Sequence, residues 1–204
     1  MKNKNILFCL FLIMLNGCNS NDNDTVKNNA KQSQSRKKRD SSQEELQQEK
    51  ITLTPDEEKM FNSLLTAFKY TIEKLSNEIQ GCLNDNKSKC TDFLDWLSTD
   101  IQKQKELANV FTTVYNFLKS KANDKDFDTY IKEAIDCKNQ NQNQNNCNKE
   151  NKYGNGDNAI EQYFRGITNQ IFYKNGNEEI YQCLKEELLK PDSHYEGLTS
   201  NWNT

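Results

Sequence analysis

The sequence predicts an all-α protein, a small helical bundle of about five to six helices after a disordered N-terminal tether. Apolar residues recur at steps of three and four in several stretches, as they do on one face of a helix. No long alternating run is rich in β-branched residues, and the 204 residues include only 7 glycines and 2 prolines. These few turn formers argue against sheet-rich folds and against glycine-rich nucleotide-binding loops.

The first predicted helix has the clearest start. Thr54 can cap it, Pro55 suits the first helical position, and Glu57 completes a capping box. We expect Gly81 to end this helix in a left-handed conformation. One face then carries the apolar residues Phe61, Leu64, Leu65, Phe68, Ile72, Leu75 and Ile79.

A second, a third and a fourth helix are predicted further along. Thr91 or Asp92 can cap the second, and Asp126 can cap the fourth. Residues 98–100 either separate the second helix from the third or lie within one long helix. The apolar stripes of the three are Phe93, Trp96, Leu97 and Ile101; Leu107, Val110, Phe111, Val114, Tyr115 and Leu118; and Phe127, Tyr130, Ile131 and Ile135.

Residues 138–158 are rich in asparagine and have no periodicity, which indicates a loop. The turn at residues 155–157 can lead into a fifth helix, and Pro191 stops a sixth. We therefore expect a helical domain at residues 51–191 and a mostly polar C-terminal tail at 192–204. The apolar residues of these helices are Ile160, Tyr163, Phe164, Ile167 and Ile171, and then Ile180, Tyr181, Leu184 and Leu188.

The N-terminus has the pattern of an export signal. Lys2 and Lys4 precede ten apolar residues, a run too short to span a bilayer as a helix. The following sequence Leu-Asn-Gly-Cys at residues 15–18 resembles a bacterial lipobox. We expect residues 1–17 to be removed by cleavage between Gly17 and Cys18. Cys18 would then carry an S-diacylglycerol group and an N-acyl chain, a membrane anchor.

Residues 18–50 form the lipidated N-terminus and a polar tether. The whole chain is only 34% apolar, and its mean hydropathy is -1.01. This stretch is almost devoid of apolar side chains, so it cannot offset the entropy of ordering itself. The basic run Arg36, Lys37, Lys38 and Arg39 either contacts anionic lipid headgroups or a sulfated host polysaccharide, or is simply a solvated charge.

Cysteine usage fits an exported protein, in which disulfides are permitted. Cys82 with Cys90 would staple the first turn between helices, and Cys137 with Cys147 would close the asparagine-rich loop. This local pairing leaves Cys183 over, and it can simply be buried. The alternative is that some of these cysteines are reduced thiols of the core.

Composition limits the classes of function. A net charge of -3 argues against a nucleic-acid binder. The single histidine, His194, leaves little for a catalytic triad or a zinc site, and no CxxC, HExxH, GxSxG or P-loop motif occurs. The carboxylate pairs at 57–58, 178–179 and 186–187 fall on helices, where sequence neighbours do not face each other. We predict no enzyme, no metal and no cofactor.

Five segments carry a family resemblance: NILFCLFLIMLNGCNSND, LTPDEEKMFNSLLTAFKYTIEKL, DFLDWLSTDIQKQKELANVFTTVYNFLKSKA, DNAIEQYFRGI and EEIYQCLKEELL. They resemble the Mlp (multicopy lipoprotein) family of Borrelia, and SRKKRD in the tether is typical of that family. The resemblance implies a surface-exposed outer-membrane lipoprotein that varies among alleles, is antigenic in infected hosts and takes part in pathogenesis. Only the lipobox position, Cys18, has a chemical role to transfer.

Three functions compete at this point. The first is a surface antigen that interacts with a host protein or polysaccharide, held to the outer membrane by its lipid anchor. The second is a periplasm-facing structural lipoprotein of the envelope. The third is a carboxylate-based hydrolase, which would need a pocket of converging carboxylates with shifted pKa values. The lipobox and the lack of catalytic motifs favour the first.

Overall fold

The computed structural model describes residues 51–83, 86–140 and 147–202, the last two residues of the middle range by their backbone alone. Within these ranges the chain forms helices and no β-strand, which confirms the all-α prediction. The helices number seven rather than five or six. They are α1 (Pro55–Leu75), α2 (Lys87–Leu97), α3 (Ile101–Lys121), α4 (Phe127–Gln140), α5 (Ala159–Ile171), α6 (Asn177–Glu187) and α7 (His194–Ser200).

Helix α1 is central and contacts α2, α3, α4 and α5. Its predicted start is confirmed. Thr54 Oγ1 accepts a hydrogen bond from Glu57 N at 3.2 Å, and Glu57 Oε2 accepts one from Thr54 N at 2.8 Å. The predicted stripe is mostly buried, and the ring of Phe68 packs edge-on against that of Phe164 on α5 at 5.7 Å.

The end of α1 differs from the prediction. The helix stops at Leu75, and the short 3-10 turns Ser76–Glu78 and Gln80–Cys82 follow it. Gly81 has no left-handed φ, so its predicted role as a C-cap is wrong. Its backbone instead lies against Phe172, where an added Cβ would collide with the carbonyl group. Glycine is needed here for close approach rather than for backbone freedom.

Helix α2 begins earlier than predicted, at Lys87, so Thr91 and Asp92 lie inside the helix and do not cap it. Cys90, in the first turn, is fully buried. Residues 98–100 do separate α2 from α3. Asp100 caps α3, with its Oδ1 accepting hydrogen bonds from the backbone of Gln102 at 3.0 Å and of Lys103 at 3.1 Å.

Helix α4 starts as predicted, because Asp126 Oδ1 accepts a hydrogen bond from Thr129 N at 3.0 Å. It continues through Gln140, so the first residues of the predicted loop are helical. The asparagine-rich stretch from 147 onward is irregular but packed. Asn148 is buried, its Oδ1 accepts from Tyr153 N at 2.7 Å, and its Nδ2 donates to Gly154 O at 2.8 Å.

Helix α7 lies in residues that the sequence indicates as a polar tail. It packs on α5 and buries Leu198, which is 1% exposed. Gly166 on α5 makes room for it, since an added Cβ there would lie 2.6 Å from the His194 ring. In the part of the chain described, no helix combines the length and apolar character needed to cross a membrane.

Candidate functional site

Several predicted site residues lie outside the described residues. They are the cleavage and lipidation positions Gly17 and Cys18, and the basic run Arg36, Lys37, Lys38 and Arg39. Their roles stay predictions.

Disulfides brace two turns of this domain. Cys82 is bonded to Cys90, with Cα atoms 6.0 Å apart, and Cys137 is bonded to Cys147, with Cα atoms 5.4 Å apart. The first bond links the 3-10 turn after α1 to α2, and the second links α4 to the asparagine-rich stretch. Cys183, which this pairing leaves over, is buried on α6.

The carboxylate pairs on α1 and α6 do not form acid/base dyads. Glu57 is engaged in the capping box, and a backbone hydrogen bond from Thr54 lowers its pKa. Glu186 is exposed whereas Glu187 is buried. Adjacent residues thus point in different directions, as expected on a helix.

One cluster of polar groups joins α3 to α6. Glu106 Oε2 accepts hydrogen bonds from Lys185 Nζ at 2.8 Å and from Tyr181 Oη at 2.6 Å, and Glu106 Oε1 accepts one from Gln102 at 3.0 Å. Lys185, then Tyr181 and Gln102, lower the pKa of Glu106 to about 2. The carboxylate is therefore ionised at neutral pH and serves as an anchor between helices.

A second cluster joins α4 to the asparagine-rich stretch. Glu133 Oε2 lies 2.6 Å from Lys125 Nζ and 2.8 Å from Lys152 Nζ. These two hydrogen bonds, in that order, lower the pKa of Glu133 to about 2. Burial raises the pKa of the neighbouring Tyr153 to about 12, so its phenol stays protonated and donates to Glu133 at 3.3 Å.

Two further carboxylates are buried. Glu161 on α5 is 0% exposed and accepts a hydrogen bond from Arg165 one turn later. Burial raises the pKa of Glu161 despite the guanidinium. Glu187 lies 3.9 Å from the His194 ring, whose pKa is lowered, mainly by burial. The His194 side chain is half-buried, with 28% of its surface exposed.

The sequence does not predict the clusters at Glu106 and Glu133, because each carboxylate binds a lysine that is distant in the chain. Lys185 is 79 residues from Glu106, and Lys152 is 19 residues from Glu133. Glu161 with Arg165, four residues apart, and Glu187 with Lys190, three residues apart, do have a helical spacing that the sequence shows.

The described residues include no group of three or more histidine, cysteine, aspartate or glutamate side chains placed to hold a metal ion. The charged clusters join one helix or segment to another, and each carboxylate in them is paired with a lysine or an arginine. The fold and these clusters define an all-α, disulfide-braced helical module.

Comparison with known proteins gives the family. The model of the Mlp lipoprotein family matches residues 30–184. The chain is 72% identical to lipoprotein MlpJ of Borreliella burgdorferi strain B31, covering 99% of each chain, and 61% identical to lipoprotein MlpB of the same strain, covering 100% of each. It is 45% identical to lipoprotein MlpH over 50% of this chain and 72% of that one. No solved structure matches.

The chain therefore belongs to the Mlp lipoprotein family, and the family resemblance predicted from its sequence is confirmed. Membership in a lipoprotein family suggests membrane anchoring. The family match begins within the predicted tether and ends on α6, before α7.

Proposed function

We propose that this protein is an outer-membrane lipoprotein, anchored by lipid on Cys18, that displays its helical domain on the cell surface. The observation that carries the proposal is the lipobox at residues 15–18 in a chain of the Mlp lipoprotein family. Two or three acyl chains hold a protein stably in a membrane, since each buried methylene contributes about 0.8 kcal/mol. The displayed domain acts as a variable antigen and takes part in host interaction and pathogenesis.

The lipid anchor is tested by labelling cells with radioactive palmitate. The wild-type protein takes up label, and a Cys18→Ser variant does not. A Cys9→Ser variant is the matched control, because Cys9 lies in the apolar part of the signal and should be removed with it. Equal labelling of the Cys18→Ser variant rules out this anchor.

Surface display is tested by treating intact cells with a protease. The helical domain should be lost from intact cells while a periplasmic marker protein survives. The alternative, a periplasm-facing structural lipoprotein, requires that the domain survives with the marker and is digested only after the outer membrane is permeabilised. The two outcomes exclude each other.

We propose further that the protein is not an enzyme and that its partners are the membrane and a host protein or polysaccharide. Support comes from the pairing of the clustered carboxylates with basic side chains, which leaves no converging acid/base pair among the residues described. A pull-down of serum and matrix proteins by the full chain tests the host partner. A variant with glutamine at residues 36–39 separates binding by the basic run from binding by the domain.

A further inference from the structure

A cavity opens where the C-terminal end of α3, helix α4, the 3-10 turn at Lys149–Asn151 and the residue Trp202 come together. Its volume is about 390 Å³, within the range of small-molecule sites, roughly 300–1,000 Å³. Basic side chains outnumber acidic ones in its lining. The charged residues that line it are Lys121, Lys125, Lys152 and Glu150.

Two of these lysines are held in place by a shared ion pair with one carboxylate. The ammonium groups of Lys125 and Lys152 lie 2.6 and 2.8 Å from the same oxygen of Glu133. One carboxylate cannot neutralise two ammonium groups, so the trio carries a net positive charge at neutral pH. Because both side chains are already ordered, a bound anion would lose less conformational entropy in recruiting them.

The third lysine has no carboxylate partner in the ranges that the structure describes. Lys121 Nζ lies 5.2 Å from the ring centre of Trp202 and 5.4 Å from that of Phe117. These rings hold the ammonium group by its charge and leave its hydrogen-bond donors available. Lys121 is thus a positioned cation at the cavity, next to an aromatic wall.

The Trp202 side chain lines the same cavity. Its Nε1–H is buried and has no acceptor among the described residues. Buried donors in proteins nearly always have an acceptor, and an exception calls for an explanation.

The backbone around the cavity is also unusual. Asn123, Glu150 and Asn151 have φ values of 52°, 61° and 56°, and they are the only non-glycine residues with a positive φ in the described ranges. All three line this one cavity. Such conformations cost free energy, and they cluster where a structure is shaped for a ligand.

We propose that this cavity binds a small organic anion of about the size of a sugar acid, through the carboxylate or sulfate group of that anion. Lys121, Lys125 and Lys152 supply the positive charge, and Trp202 supplies an apolar wall. The proposal goes beyond surface display and does not depend on it, because the binding is a property of the folded chain on either side of the membrane.

The test uses the two tryptophans of the chain as reporters. The full chain in detergent micelles, labelled with 15N-tryptophan, is titrated with glucuronate, glucose 6-sulfate or glucose. The indole N–H resonance of Trp202 should shift and saturate with one or both anions and stay in place with glucose. Trp96 on α2 does not line the cavity and should not respond. A Trp202→Phe variant assigns the resonance by removing it.

Charge-loss variants decide between this site and general attraction. Lys121→Gln should weaken anion binding about tenfold, the effect of losing one charge-assisted hydrogen bond. Lys59→Gln loses the same charge from α1 outside the cavity and should bind as the wild type does. An absent or non-saturating shift of Trp202, an equal shift with glucose, or unchanged binding by Lys121→Gln overturns the proposal.

Discussion

Glu106 on α3 and Lys185 on α6 lie 2.8 Å apart and join two helices that are distant in the sequence. Tyr181, one turn before Lys185, donates to the same carboxylate oxygen at 2.6 Å. The ion pair and this hydrogen bond hold the pKa of Glu106 at about 2, below its ordinary value of 4.5. The contribution of this contact to stability therefore depends on pH.

An acid-sensitive contribution to stability follows from this carboxylate. Because its pKa is lower in the folded than in the unfolded state, Glu106 stabilises the fold above about pH 4.5, and this stabilisation is lost as the pH falls toward 2. Glu106→Gln should lower the free energy of unfolding at pH 7 by about 1 kcal/mol, since the contact is partly exposed. At pH 3 the difference from the wild type should shrink. Urea unfolding at both pH values measures it.

The control for this prediction is Glu179→Gln on α6, because Glu179 is an exposed glutamate whose loss removes one charge. It should change stability little at either pH. A Glu106→Gln variant that loses as much at pH 3 as at pH 7 would contradict the assigned pKa.

Glu161 should have the opposite pH dependence. Burial raises the pKa of Glu161 in the folded state, so its ionised form opposes folding. The stability that the neutral form confers is therefore lost as the pH rises through the folded-state pKa. Glu161→Gln should therefore be neutral or stabilising at pH 7. Arg165→Gln should destabilise the protein by about 3 kcal/mol, because it leaves a buried carboxylate unpaired. Thermal unfolding at pH 7 compares the two variants.

The two variants together test whether the ion pair between Glu161 and Arg165 stabilises the fold. If Glu161→Gln is as destabilising as Arg165→Gln, the ion pair stabilises the fold and the argument from burial fails. A double variant with glutamine at both positions should recover most of the loss caused by Arg165→Gln alone.

The sequence predicts those elements whose signals are local. Thr54 and Glu57 predict the start of α1, because a capping box needs only two residues that are three apart. Asp126 predicts the start of α4 because its cap, too, involves only nearby residues. The buried stripes of α1, α3, α5 and α6 follow from helical spacing, which a single chain segment specifies by itself.

Features set by tertiary contacts were predicted wrongly or missed. The position of Gly81 predicts a helix C-cap, but its backbone packs against Phe172, which is 91 residues away in the chain. Helix α7 was missed because its burial depends on the space that Gly166 leaves on α5. The cavity near Trp202 combines four segments, none of which has a recognisable motif alone.

The disulfide between Cys137 and Cys147 should hold the asparagine-rich stretch against α4. Replacing both cysteines by serine should lower the free energy of unfolding by about 2–3 kcal/mol in the chain-entropy model. Amide hydrogen exchange should accelerate most in residues 147–158. The matched control is the double serine variant of Cys82 and Cys90, because the Cys82–Cys90 bond closes a loop of similar length elsewhere in the fold. Equal exchange at 147–158 in both variants would mean that the bond does not order this stretch.

Asn158 should be the most sensitive polar residue at the start of α5. It is fully buried, its Oδ1 accepts from Glu161 N at 3.0 Å, and its Nδ2 donates to Ala134 O on α4 at 2.6 Å. Asn158→Ala removes both bonds and leaves the buried N–H of Glu161 without its acceptor, so it should cost about 2–4 kcal/mol. Asp100→Ala removes a more exposed cap and should cost about 1 kcal/mol. Urea unfolding of the two variants checks the difference, and equal losses would show that the link to α4 adds nothing to the cap.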